Sequence, residues 1–251
     1  MAHLTAAERE IDSHGASTLV NTLMNHDETI SRQISYWQRS VKGTEDYMSP
    51  SEKLGSQNIK NWYNLESKTR SYNAPEWKIS PDRTALFERF RNDPNYHIKN
   101  IVELATRSLI FEMLRADGID AKVVVTSDSD DVFGGADVIA TINTPHGEKH
   151  VAFDIAVSEN AEYLGKKEER TETICYEFDS IKKLKQKPIP RVVFAIPPRV
   201  MTKFISEYMK HISTKGFIDR KDILTFFRDA SSDTVRTLSK KVHARIDKII
   251  H

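Results

Sequence analysis

Apolar residues fall on one helical face from Ile98 onward, at Ile98, Ile101, Val102, Ala105, Leu109, Phe111, Met113 and Leu114, and the pattern stops at Gly118. Spacings of three and four predict an amphipathic helix, and a glycine can end it because no Cβ opposes a left-handed backbone. Three alternating or apolar runs follow, Ala121 to Thr126, Asp137 to Asn143 and His150 to Val157, each of strand length. Thr144-Pro145-His146-Gly147-Glu148 joins the last two and predicts a hairpin. Ser158 to Arg170 opens on a cap-like serine and closes on Lys166, Lys167 and Arg170, the charge order of a helix. Ile174 to Phe178 is ambiguous, Phe178 to Lys187 reads as helix, and Arg191 to Ile196 (RVVFAI) reads as a buried strand halted by Pro197-Pro198. The order of elements predicts an α/β sheet containing an antiparallel hairpin and a crossover to a further strand.

The flanks read differently. Residues 1–97 form a helical and irregular region: Thr5-Ala6-Ala7-Glu8 suits a capping box, and Leu19, Leu23, Ile30, Ile34 and Trp37 suit amphipathic helices that stop near Gly43. Pro50, Gly55, Pro75 and Pro81 punctuate the next stretch, which predicts connecting structure with a short helix around Ile59 to Lys68. Residues 199–251 read as helices, Val200 to Ile212, Asp219 to Arg228 and Asp233 to Ile250, packed on a core of residues 98–198. The last helix could instead bind a partner or form a homodimer.

Composition narrows the class. The chain has 251 residues, 39% hydrophobic and 29% charged, with a net charge of +1, as expected of a globular protein with charged helices. It holds no apolar run of about 18 residues, and its first residues are polar and acidic, so neither a membrane span nor a secretory signal is predicted and the expected location is cytoplasmic. A lone Cys175 excludes an internal disulfide and a cysteine zinc cage. Basic residues gather at Lys182-Lys183-Lys185-Lys187-Arg191 and at Arg236-Lys240-Lys241-Arg245-Lys248, either as solvated helix faces or as tracks for phosphates. Trp62, Tyr63, Tyr72 and Trp77 interleave with Lys60, Lys68, Arg70 and Lys78, which suits packing on the core or base stacking.

The candidate chemistry is acidic. Hairpin pairing brings Asp137, at the start of one arm, toward Asp154, late in the other. Alternation sets Asp154 with Ala152 and Ala156, away from Val151, Phe153, Ile155 and Val157. Two carboxylates brought together either raise a pKa or recruit a divalent metal; alternatively, Asp137 ends a strand and Asp154 pairs with a local lysine or arginine. Asp128, Asp130 and Asp131 form an acidic patch nearby. Gly134-Gly135 precedes a strand rather than a helix and so is no phosphate loop, and no nucleophile elbow is present. His146 and His150 flank the hairpin without further ligands.

With Glu103 on the helix, Gly134-Gly135-Ala136-Asp137-Val138 on the second strand and Val151-Ala152-Phe153-Asp154-Ile155-Ala156 on the third, residues 98–197 resemble the PD-(D/E)xK nuclease superfamily, the restriction-endonuclease-like fold. That core is a helix with a glutamate, a strand, a hairpin carrying an aspartate and a (D/E)-x-K motif, a helix and a further strand. The resemblance implies a metal-dependent nuclease acting on nucleic acid, with DNA preferred over RNA, and Mg²⁺ or Mn²⁺ held by Asp137, Asp154 and the Ile155 carbonyl. Glu103 would orient a metal-bound water or pair with Arg107. Ala156 stands where the family has its lysine; Lys166 and Lys167 on the following helix are the substitutes, since the strand parity of Lys149 aims it at the other face. If neither serves, the chain is a catalytically inactive nuclease-fold module that binds nucleic acid or a protein.

Overall fold

A computed structural model describes residues 48–67, 96–126, 135–169, 171–173, 188–219 and 221–223, with positions 31, 32, 35, 39, 131, 225, 244, 246 and 247. Its elements are α1 (Pro50–Ser67), α2 (Tyr96–Ala116), β1 (Ala121–Val125), β2 (Val138–Thr144), β3 (Gly147–Val157), α3 (Ala161–Glu168), β4 (Glu172–Thr173), β5 (Ile189–Ile196) and α4 (Pro198–Lys215). The strands make one open mixed sheet in the order β1-β2-β3-β5-β4. β1 to β2 and β2 to β3 are antiparallel, β3 to β5 is parallel and β4 to β5 is antiparallel. The α/β class, the hairpin and the parallel crossover strand all follow the expectation from the sequence.

Alternation builds two unequal faces. Val123, Val125, Val138, Ala140, Ile142, Val151, Phe153, Val192, Phe194 and Ile196 join the main core with α2 and α4. Ala136, Ile139, Ala152 and Ile189, from the opposite face, make a thinner second cluster. Ala152 and Asp154 share this second face, as strand parity requires.

The turns show why the register holds. α2 ends as predicted: Gly118 takes φ +74°, and the Ile119 N–H returns 3.0 Å to the Leu114 carbonyl, closing the orphan carbonyls of the last turn. The hairpin is tighter than expected. Thr144 pairs with Gly147, leaving only Pro145 and His146 between the strands, and Gly147 sits at φ +109°. Thr144 Oγ1 donates to the Gly147 carbonyl at 2.6 Å, so the turn is closed by a side chain as well as by the ladder.

Several boundaries need correcting. The short helix expected near Ile59 starts at Pro50, whose ring fits a first-turn position, and Ser49 and Glu52 cap it reciprocally: Ser49 N–H to Glu52 Oε2 is 2.7 Å, and Glu52 N–H to Ser49 Oγ is 3.4 Å. Gly55 is not a break but lies inside α1, where a Cβ would meet the Ser213 side chain at 3.5 Å. The cap of α3 is Asn160 rather than Ser158, its Oδ1 accepting from the Tyr163 N–H at 3.1 Å. Positions 31, 32, 35 and 39 are helical, as expected before Gly43; the rest of that stretch, the expected helix over 178–187, most of those over 219–228 and 233–250, Cys175 and most of the two basic clusters lie outside the described residues.

α1 and α4 close the main core from the flanks. Trp62 meets Tyr208 edge-to-face with ring centroids 5.5 Å apart, and Asn58 Nδ2 donates to the Ser213 carbonyl at 2.8 Å. Trp62 is therefore a packing residue, one of the two uses its position suggested. Ile223 and Ile246 extend the same core. Among the described residues no helix is long and apolar enough to cross a membrane.

Candidate functional site

The end of the sheet where β2 begins carries the site. The Asp137 N–H donates to the Phe153 carbonyl at 2.9 Å, continuing the β2–β3 ladder beyond Val138. Asp137 Oδ2 then accepts from the Ile155 N–H at 2.6 Å, so a carboxylate stands where a strand carbonyl would. Thr126, just after β1, locks the same segment: its N–H reaches the Asp137 carbonyl at 3.0 Å and its hydroxyl donates to the Ala136 carbonyl. Asp137 and Asp154 are both buried, and the charge of Asp154 acts on Asp137.

Two clusters meet there. In the first, Glu103 of α2, Asp131 and Asp137 each present an oxygen, all within 4.8 Å of one another, a set able to hold a metal ion. Three carboxylate oxygens are the donor type that Mg²⁺ and Mn²⁺ select. Lys99, one turn before Glu103, enters the same cluster: its Nζ is 2.5 Å from Asp131 Oδ2 and 3.4 Å from Glu103 Oε1. A divalent ion entering here competes with that ammonium for the same negative charge.

The second cluster surrounds Asp154. Lys167 of α3 donates to Asp154 Oδ1 at 2.7 Å, and Arg191 of β5 donates through Nη2 to Oδ2. Lys167 also lies 5.5 Å from the centre of the Tyr163 ring. Arg191 reaches further, with Nε to the Gly135 carbonyl at 3.0 Å and Nη1 to the Lys167 carbonyl at 2.7 Å.

Electrostatics separates the roles. Burial pushes the Asp137 carboxyl well above its usual range, the negative charges of Asp131 and Asp154 add to the rise, and Lys99 opposes it. For Lys167 burial acts downward, but Asp154, Tyr163 and Asp137 more than reverse it and leave the ammonium raised. Lys99 follows the same pattern: burial lowers it, whereas Asp131, Glu103 and Asp137 raise it further. Both lysines are therefore fixed cations, unsuited to removing a proton near neutral pH.

The residues expected from the sequence are distributed as follows. Asp137 joins Glu103 and Asp131 in one group of carboxylates, while Lys167 and Arg191 engage both oxygens of Asp154. Ile155 contributes its N–H to Asp137. Of the two helical lysines only Lys167 arrives; Lys166 is exposed and pairs with Glu162 at 2.8 Å. Glu103 Oε1 lies 3.4 Å from Lys99 Nζ, and Arg107 donates its Nε to the Val123 carbonyl at 3.0 Å. His150 pairs with Thr141 across the β2–β3 ladder, its Nδ1 3.1 Å from Thr141 Oγ1.

Arg191, Lys99 and the convergence of Asp131 were missed. Arg191 closes a basic cluster in the sequence, yet its side chain is buried. Its signal was parity: it begins the run RVVFAI and pairs with Ala152 across the parallel register, which puts it on the Asp154 face. Lys99 and Glu103 stand four apart on a helix, a spacing that brings side chains together. No protein-family model, curated protein or solved structure matches the chain.

Proposed function

We propose that this chain is a metal-dependent phosphodiesterase acting on nucleic acid, of restriction-endonuclease-like design. The observation that carries the reading is Lys167, a lysine brought by the next helix to 2.7 Å from Asp154, which supports its taking the role left open by Ala156. The succession of helix, strand, hairpin, helix and strand, with Glu103 on the first helix, supports it.

Glu103, Asp131 and Asp137 would hold Mg²⁺ or Mn²⁺. When bound, such an ion acidifies a water and offsets charge gathering on a phosphoryl group. Lys167, permanently charged, would steady the phosphate or the attacking water by hydrogen bonding. Asp154 orients that ammonium. Proton removal falls to another group, since the raised Lys167 does not accept one.

Supercoiled plasmid and single-stranded DNA and RNA, incubated with Mg²⁺ or Mn²⁺, test the proposal. Cleavage by the parent should fall by roughly a hundredfold or more in Asp137→Asn and Lys167→Met, the scale on which charge-stabilising groups act. A parent inert on every substrate, or variants as active as the parent, would reject it.

The ion pairs also favour a second reading. Arg191 and Lys167 neutralise Asp154, and Lys99 sits against Asp131, so the acidic groups have internal counter-ions. A module of this kind would bind nucleic acid without cutting it. Salt-sensitive binding of a labelled oligonucleotide, with no cleavage in either metal, selects this alternative.

A further inference from the structure

One side chain outside the motif touches every part of the Asp154 cluster. Arg191 is anchored in β5, where its own N–H donates 2.8 Å to the Thr171 carbonyl just before β4. Its guanidinium fork then spans three segments: Gly135 in the approach to β2, Asp154 on β3, and the Lys167 carbonyl in the last turn of α3. The planar group presents five donors in a fixed fork, which lysine, though also a cation, cannot reproduce. A cation at the last carbonyls of a helix also complements the helix dipole.

We propose that Arg191 is the positioning residue of this site, fixing where the Lys167 ammonium stands by holding both the carboxylate it binds and the backbone that carries it. The role assigned to that ammonium rests on the phosphodiesterase reading; the clamp itself does not. α3 is short and has no buried residue, so apolar packing of its own side chains does little to hold it. Its last turn is tied instead to β5 through Arg191, and its Lys167 side chain to β3 through Asp154. Releasing the guanidinium frees Asp154 on one side and the helix end on the other, and Lys167 loses its fixed place.

The test reads Lys167 directly. Brief acetylation of the full chain with an amine-reactive ester, followed by peptide mass spectrometry, gives a labelling rate for each lysine. Lys166 serves as the exposed reference and Lys99 as an enclosed one, the Lys99 and Lys167 side chains being 18% and 19% exposed. In the parent Lys167 should label more slowly than Lys166. Arg191→Lys and Arg191→Met should each raise the Lys167 rate by about tenfold, as for a group released by local opening, with Lys99 and Lys166 unchanged. An unchanged Lys167 rate overturns the proposal, and so does an equal rise at Lys99, which marks general loosening. Circular dichroism accompanies the labelling. Should Arg191→Met fail to fold, Arg191→Lys, which keeps the charge, decides the matter; loss of the fold in both also overturns the proposal.

A cleavage measurement separates this inference from the functional one. If the parent cuts nucleic acid, Arg191→Lys should lower kcat by roughly 10–100-fold, the usual cost of removing a group that orients a ligand-binding side chain, at unchanged KM. A lowered affinity with kcat intact would overturn the positioning role. A parent that does not cut rejects the phosphodiesterase reading, while the labelling result still decides whether Arg191 sets Lys167.

Discussion

Each charged group at this site is expensive to bury and is kept by its neighbours. Asp137 shows this in its titration. Its folded-state carboxyl binds a proton more readily than the unfolded one, chiefly because burial disfavours the anion. The native state therefore holds more protons above the unfolded value of about 3.9, and stability falls as pH rises through the raised folded value. Asp137→Asn keeps an acceptor for the Ile155 N–H and removes the charge. In chelator its melting temperature should exceed the parent's by about 2–4 °C near pH 8, the effect of ~1 kcal/mol in a chain of this size, and the gap should close toward pH 4. A gap independent of pH would show that charge is not the cause. Added Mg²⁺ should raise the parent's melting temperature and leave that of Asp137→Asn almost unmoved, because a ligand stabilises only the state that binds it. Asp137 and Asp154 were legible in the sequence because strand parity is local. Lys167 is legible as well, on the helix that follows β3, whereas Lys99 and Arg191 are not, because they meet the acidic groups only once α2 and the crossover strand are packed beside them.

Elements carry the register on which those meetings depend. A one-residue slip in the hairpin would move Asp154 to the main-core face and Phe153 to the other. The two-residue turn prevents this, and Gly147 at φ +109° makes it possible. A Cβ there would touch nothing within 4 Å, so the cost of Gly147→Ala is backbone strain alone. That substitution should destabilise by about 1–2 kcal/mol in urea unfolding, the usual size for a residue held in a sparsely populated region. A change near zero would mean the turn is set by Thr144 and the ladder. The strand pattern was readable because alternation and a Pro-Gly signal agree on where the chain reverses. The sequence pattern predicts too short an α1 because Pro50 reads as punctuation; the reciprocal Ser49 and Glu52 cap shows the proline opening a helix. Ser49→Ala should lower stability by about 0.5–1 kcal/mol, toward the small end for a cap because the site is exposed.

At the scale of the whole molecule, the three stretches distinguished by composition share one core. Ile59 and Trp62 from the first stretch, Phe153 and Phe194 from the sheet, and Met201, Phe204 and Tyr208 from the last lie in one apolar cluster. Phe153 and Asp154 are neighbours on β3, so the strand that carries the site on one face is braced by this core on the other. Unfolding of the flanks should then not be separable from unfolding of the sheet. Trp62→Ala removes a ring that meets Tyr208 edge-to-face and should cost about 3–5 kcal/mol, the range for truncating a large buried aromatic. The loss should appear as one transition at lower temperature, with calorimetric and van't Hoff enthalpies in agreement. In a cycle with Tyr208→Ala, the coupling should be about 0.5–1.5 kcal/mol, the part that belongs to the ring pair. If Trp62→Ala instead splits the melt, with near-ultraviolet and far-ultraviolet signals moving apart, the helices from outside the central stretch form a separate cooperative unit. The sheet end holding Asp137 and Asp154 would then depend on α2 and α3 for its support.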